Sequence, residues 1–458
     1  MPPSVHRATW LGSDRLLART VAQPINRFLH IEASGGLILV GAAVVALVWV
    51  NSPWDASYAS LWSTEIGIDV AGHALVQDLR HWVNDGLMAL FFFVLGLEIK
   101  SELTTGDLRR PARAAMPVAG AIGGMVVPAL LYVLISGSGE AGHGWGIPMA
   151  TDVAFALGVL ALLGSRVPHE LKVLLLALAI VDDVGAIVVI AFVYSSSIHL
   201  GWLAGAAFGL LAIGGMRRGG VRYVPVYAAL GAVVWWMTFE SGVHATIAGV
   251  ALGLMTPARP FLPDTDADAI ADELSSDTQV TASELRSVSF RIRESVPMTE
   301  RLQEALHPWT SYVIVPVFAL ANAGVKLSGS DVPDLLTSRP TLAVIVGLVV
   351  GKAVGVTGAI LLARRLGLAT LPDVVTSRHV VGLGLVAGVG FTVSIFVAGL
   401  AFSDPGLVEG SKLGILTGSL IAAAAATAVL LGGGARGPSL AAADDALVEG
   451  LPPELDGR

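Results

Sequence analysis

Apolar runs close to 20 residues long recur twelve times along the chain, at about 34–51, 82–99, 114–136, 146–164, 171–195, 200–216, 222–239, 242–256, 308–325, 341–363, 379–402 and 412–432. A helix of that length crosses a hydrocarbon core about 30 Å thick. The run at 242–256 is short for the task. Polar sequence separates the runs. Residues 257–306 form a long hydrophilic loop with an acidic stretch from Asp264 to Glu273, and residues 433–458 form a Gly/Ala-rich acidic tail whose composition predicts disorder. Residues 52–80 are too long for a tight turn and alternate polar with apolar positions, which predicts a short hairpin. The pattern predicts an all-α polytopic membrane protein with twelve transmembrane helices. It has a cytosolic arm at 1–30, a transmembrane domain at 31–432 and a cytosolic tail.

Lys and Arg orient this arrangement. With both termini placed inside, the outer segments hold only Arg80, Lys326, Arg339 and Lys412, and Lys352 lies within a run. All other basic residues fall on inner segments, the asymmetry expected of cytosolic loops. The four arginines among the first 28 residues are not followed by an apolar core and cleavage site at leader length, so the first helix is expected to stay.

Composition narrows the class. Hydrophobic residues make up 54% of the chain, charged residues 14%, and mean hydropathy is +0.72, which points away from a soluble enzyme. The absence of cysteine excludes disulfides, thiolate metal sites and thiol nucleophiles. The 53 glycines suit close helix packing in a membrane. Net charge is −8 and no basic patch suggests nucleic acid.

The informative residues are the charges inside the runs. Asp182 and Asp183 sit side by side in the run 171–195, where each acid costs about 2.5–3.5 kcal/mol even on the mildest insertion scale. One polar residue would glue helices as well as two, so the pair points to a site for a cation, a proton, or both in turn. Lys352, after Gly351, needs a carboxylate partner at its depth, and the Asp182–Asp183 pair is the natural one.

The sets 114–195 and 341–432 enter the membrane from opposite sides, as in inverted-repeat transporters. The middle run of each is interrupted, one by Thr151 and Asp152, the other by four glycines that include Gly388 and Gly390. Two broken helices at matching positions point to a transport site, with exposed dipole ends that call for charge compensation. Glu98 and Glu102 share one helix face with Lys100 between them, either a solvated helix end or a second charged group. His244 reads as a core histidine or as a group titrating near neutral pH.

These motifs resemble the NhaA-type Na+/H+ antiporters over about residues 30–430. The resemblance rests on Gly96–Lys100, Ala150–Ala156, Ala179–Ala186, Gly242–Thr246 and Gly388–Thr392. It implies Asp183 as the principal Na+ or Li+ ligand, with Asp182 beside it and paired to Lys352 when the ion is absent. It implies Thr151 and Asp152 lining the site, with the broken helices crossing there. Glu98, Lys100, Glu102, His244 and Glu304 would take part in the pH response. It also implies electrogenic exchange, a homodimer formed through the segment 52–80, a bacterial plasma membrane location and no cofactor beyond the transported ions. Ser101 and Gln303 depart from the family pattern, and the loop 257–306 is longer than usual. A Na+-coupled symporter would need an organic-substrate pocket, and no aromatic or Arg lining accompanies the aspartates. An intramembrane aspartyl protease would need its two carboxylates on different helices, whereas adjacent residues point about 100° apart on one.

Overall fold

The computed structural model describes residues 34–70, 73–195, 198–221, 223–260, 281–327, 332–372 and 374–432. The arm at 1–30, the acidic stretch Asp264–Glu273 and the tail at 433–458 lie outside them.

Helix occupies every apolar run. In chain order the elements are α1 (Ser34–Val50), α2 (Asp55–Trp62), strands β1 (Glu65–Val70) and β2 (His73–Asp78), α3 (Leu79–Thr104), α4 (Pro111–Ser136), a 3₁₀ stretch (Glu140–Met149), α5 (Val153–Leu162), α6 (His169–Val193), α7 (Leu200–Arg218), α8 (Val224–Glu240), α9 (Thr246–Met255), α10 (Ala282–Ser295), α11 (Met298–Trp309), α12 (Val315–Asn322), α13 (Val332–Thr337), α14 (Arg339–Arg365), α15 (Ser377–Val386), α16 (Phe391–Ala401) and α17 (Pro405–Leu431). Among the described residues, six helices are long and apolar enough to cross a membrane: α3, α4, α6, α7, α14 and α17. Counting each bent pair as one span raises this to nine. The pairs are α1 with α2, bent by 117°, the 3₁₀ stretch with α5, bent by 46°, and α15 with α16, also bent by 46°. The chain is a multi-pass membrane protein.

The segment 52–80 holds more than a hairpin. Helix α2 folds back from α1, and β1 pairs antiparallel with β2 from Glu65–Asp78 to Val70–His73. This two-stranded sheet is the described departure from an all-helical chain. Trp82 of α3 donates its indole N–H to Ile66 O at 3.0 Å and so ties the hairpin to the bundle. Asp78 caps α3 by accepting from the His81 backbone N–H at 2.7 Å. Burial pushes the Asp78 carboxyl up, but its bonds to the His81 backbone and ring outweigh this and hold it below the usual carboxylate range.

Small residues set the helix spacing. Helices α4 and α14 pack along one another, and a side chain at Gly123 would strike the Gly355 carbonyl, so the two backbones touch there. Gly123→Val should therefore separate α4 from α14. Its melting temperature should fall by an amount corresponding to about 1–3 kcal/mol, and an unchanged melt would show that the close approach is not structural. Proline, lone polar residues and glycine mark the helix irregularities. Three π-turns, at Trp82–Leu87, Thr310–Ile314 and Gly347–Gly351, each carry an extra residue within a longer helix.

Candidate functional site

The two interrupted helices meet at their breaks. The chain is extended at Ala150 and Asp152, between the 3₁₀ stretch and α5. It turns at Gly388–Gly390, between α15 and α16. The Asp152 backbone N–H donates to Val389 O at 2.7 Å, and Ser394 Oγ donates to Ile147 O at 2.7 Å. Added side chains would put Gly388 against Leu348 O, and Gly390 against Ser394 Oγ and Ala150 O. The two glycines are there because backbone approaches backbone.

Asp152 serves both breaks. Its Oδ1 accepts from the Phe155 N–H at 3.0 Å and caps α5. Its Oδ2 accepts from the Thr392 N–H at 3.0 Å and from Thr392 Oγ1 at 2.5 Å, at the start of α16. One carboxylate thus meets the positive ends of two helices, the placement in which a negative charge is most stabilised.

Beside this junction, α6 carries Asp182 and Asp183 and α14 carries Lys352. Lys352 Nζ lies 2.6 Å from Asp182 Oδ2, and both side chains have no exposed surface. Thr151 completes the group. Its Oγ1 accepts from Lys352 Nζ at 3.1 Å and lies 2.9 Å from both Asp182 Oδ2 and Ala387 O. A single hydroxyl proton serves either of those two acceptors, so Thr151 can switch its donation without moving. The second oxygen, Asp182 Oδ1, is buried with no hydrogen-bond partner among the described residues. Asp183, 4% exposed, feels the charges of Asp182, Glu98, Lys352 and Asp152. The arrangement thus has two adjacent carboxylates, one of them with an orphaned oxygen, one ammonium, a hydroxyl and the helix-end carbonyl of Ala387. The oxygens among them are hard donors, suited to a small monovalent cation or to protons.

The remaining sequence-predicted residues scatter around this centre. Glu98 is half-buried on α3, close enough for its charge to reach Asp183, and Lys100 is half-buried on the same helix. Glu102 Oε2 accepts from the Asp107 N–H at 3.1 Å and holds the turn after α3. His244 lies apart from the carboxylates. Its Nε2 is 2.8 Å from Tyr194 O, while the Tyr194 hydroxyl donates to His143 O at 2.8 Å and accepts from the Gly146 N–H at 3.2 Å. The histidine therefore connects the α8–α9 loop to the segment that leads into the first break. Glu304 is exposed on α11. Sequence reasoning did not single out Thr392, Ser394 or the Ala387 carbonyl. Thr392 lies within the quoted run Gly388–Thr392, two residues after the last glycine, where a side chain can act on a helix start.

With this geometry in view, the match to known proteins is decisive. The family model for Na+/H+ antiporter 1 covers residues 26–430. The chain belongs to that family. It is 48% identical over 431 residues to the Na(+)/H(+) antiporter NhaA 2 of Sorangium cellulosum, covering 92% of each chain. It is 47% identical over 426 residues to NhaA 2 of Myxococcus xanthus, covering 91% of this chain and 90% of that one. It is 46% identical over 424 residues to NhaA of Oleidesulfovibrio alaskensis, covering 89% and 92%. The relatives are antiporters, which are transporters rather than enzymes. As a member of the Na+/H+ antiporter 1 family, the chain falls in the class that exchanges Na+ for H+.

Proposed function

We propose that this antiporter exports Na+ or Li+ in exchange for external H+ by alternating access at the Asp182–Asp183 pair, electrogenically and under pH control. The observation that carries this reading is a charge imbalance. Two adjacent buried carboxylates stand with a single ammonium, which is bonded to Asp182 alone, and one oxygen of Asp182 has no partner among the described residues. Such a pair is satisfied by protons or by a cation, but not by both at once. Two protons entering for each monovalent ion leaving would make each cycle move net charge.

In this reading Asp183 is the main ion ligand. Asp182 and Thr151 contribute once the ion displaces Lys352, and Asp152 offsets the two helix ends. Glu98, Lys100, Glu102, His244 and Glu304 form the pH response, His244 through Tyr194. No cofactor is needed beyond the transported ions. The bilayer reading has twelve crossings: the nine spans above, plus α8, α9 and the stretch from α11 to α12. It includes an inverted repeat of 114–195 and 341–432, both termini in the cytosol, and a bacterial plasma membrane.

The test is proton flux in everted membrane vesicles carrying the chain, with Na+, Li+ and K+ added across a pH series. Na+ and Li+ should collapse a respiration-driven proton gradient while K+ does not. An equal response to all three, or a response that requires an organic solute, would overturn the reading. The homodimer is proposed to form through 52–80. Deleting Glu65–Asp78 should leave a folded monomer in detergent, and a dimer of unchanged affinity would exclude the hairpin as its interface.

A further inference from the structure

At the end of the bundle that carries the hairpin, three buried polar atoms from three elements have no hydrogen-bond partner among the described residues, and a buried lysine adjoins one of them. Sequence places Lys412 at the outer mouth of the last run, but the side chain is inside α17 and only 9% exposed. Ser411, next to it, is fully buried and its Oγ has no partner. Arg80, the second residue of α3, has its Nε buried and unbonded. The Trp62 indole N–H, at the end of α2, is 6% exposed and also unbonded. These elements come together. The Arg80 charge is felt at both Lys412 and Tyr58, and the Tyr58 ring packs edge-on against Trp62 with centroids 6.3 Å apart. Leu79, Leu407 and Val408 pack into the same core as Tyr58 and Trp62.

The acids nearby do not satisfy the two cations. Glu409, half-buried one turn before Lys412, is the acidic group whose charge reaches it, yet the two form no ion pair among the described residues. Asp78 bonds the His81 backbone and ring through Oδ1, and although the Arg80 charge reaches it, the two form no ion pair among the described residues. The contrast with the other two lysines of the outer and mid-membrane regions is direct. Lys326 pairs with Asp55 at 3.2 Å, and Lys352 with Asp182 at 2.6 Å. Two neighbouring cations with buried, unbonded donors around them are costly unless an anion joins them.

We propose that Arg80 and Lys412 form a binding site for a phosphate-type oxyanion, with Ser411 and Trp62 supplying further hydrogen bonds. A guanidinium fork with an ammonium, a hydroxyl and an indole N–H matches a tetrahedral oxyanion, which offers acceptors in several directions. The site is separate from the carboxylate centre: it uses the first turn of α3, the second turn of α17 and the end of α2, and no residue of the two helices that break at that centre. The same chemistry is offered by free phosphate and by a phospholipid headgroup, since Arg80, in the first turn of the membrane-spanning α3, lies at headgroup depth.

The experiment uses the full chain in an uncharged detergent, with ionic strength held constant by potassium gluconate. Melting temperature is followed against inorganic phosphate and, separately, against dihexanoyl phosphatidylglycerol below its micellar concentration. A saturable rise with phosphate alone identifies the free anion. A rise with the lipid at lower concentration identifies the headgroup. Lys412→Met should raise the midpoint of whichever titration responds at least about tenfold, the loss of one charge-assisted bond. Glu409→Gln, which removes the nearest opposing charge, should lower the midpoint by about threefold. No saturable rise with either probe, or the same midpoint in wild type and Lys412→Met, overturns the site. If Lys412→Met does not fold, an unmoved midpoint in Glu409→Gln overturns it and a lowered one upholds it.

Discussion

Asp183→Asn should reduce Na+-driven proton movement in everted vesicles to that of vesicles without the protein, while the protein still inserts and melts at or above the wild-type temperature. Asp183 is the member of the pair with no ammonium bound to it, and the side chain is nearly enclosed. Neutralising it removes a like-charge neighbour of Asp182, so folding is not harmed. It also removes the charge that a cation would meet. Asp182→Asn is the informative contrast. That change leaves Lys352 buried without its counter-charge and should cost about 3–5 kcal/mol of stability. Loss of transport with an intact fold at 183, and loss of fold at 182, is the pattern that separates an ion ligand from a structural pair. Wild-type exchange in Asp183→Asn would remove it from the proposed mechanism.

Lys352→Ala should shift the onset of exchange to higher pH and lower the melting temperature. The ammonium favours the ionised form of its partner. Without it, the coupled site gives up its protons only at higher pH, and Na+ has to compete with protons that are held more firmly. A nearby opposite charge is worth about 1–3 pH units, so the threshold should move upward by an amount in that range. Apparent Na+ affinity at a fixed pH should fall in parallel. Because the groups titrate as a set, the threshold belongs to the site and not to one residue. The stability loss is that of a broken buried pair, again about 3–5 kcal/mol. The measurement is Na+-induced proton release from purified protein over a pH series, with a melt at each pH. An unmoved threshold together with an unmoved melt would mean that α6 and α14 are not coupled through this contact.

How much of this is legible in the sequence follows the cost of each feature. An acid or a lysine at membrane depth is expensive, so Asp182, Asp183, Asp152 and Lys352 stand out, and expense also names the partner of Lys352. The breaks are readable because glycines and a Thr-Asp step interrupt long apolar runs. Thr392 and Ser394 are cheap in a membrane helix, and their bonds to Asp152 and Ile147 reach across about 240 residues, so no local signal marks them. The π-turn at Gly347–Gly351 is apolar throughout and leaves no trace in hydropathy. The hairpin is readable as alternation, whereas α2 and α10 are short helices in polar sequence that resemble loops. Lys412 misleads because position alone makes it look like an end-of-run charge, and burial comes from α17 beginning earlier, at Pro405.

The partners in the buried ion pair are 170 residues apart in the chain. A ribosome adding about 5–20 residues per second makes them roughly 8–35 s apart. Throughout that interval α6 is already synthesised, with its two acids lacking their counter-ion, and Thr151 lacks the Ala387 carbonyl. The centre is therefore assembled last, after the second half of the chain has been delivered, and the nascent first half depends on its surroundings to tolerate an unfinished polar core. A chain stopped before α14 should be the form that cellular quality control removes fastest.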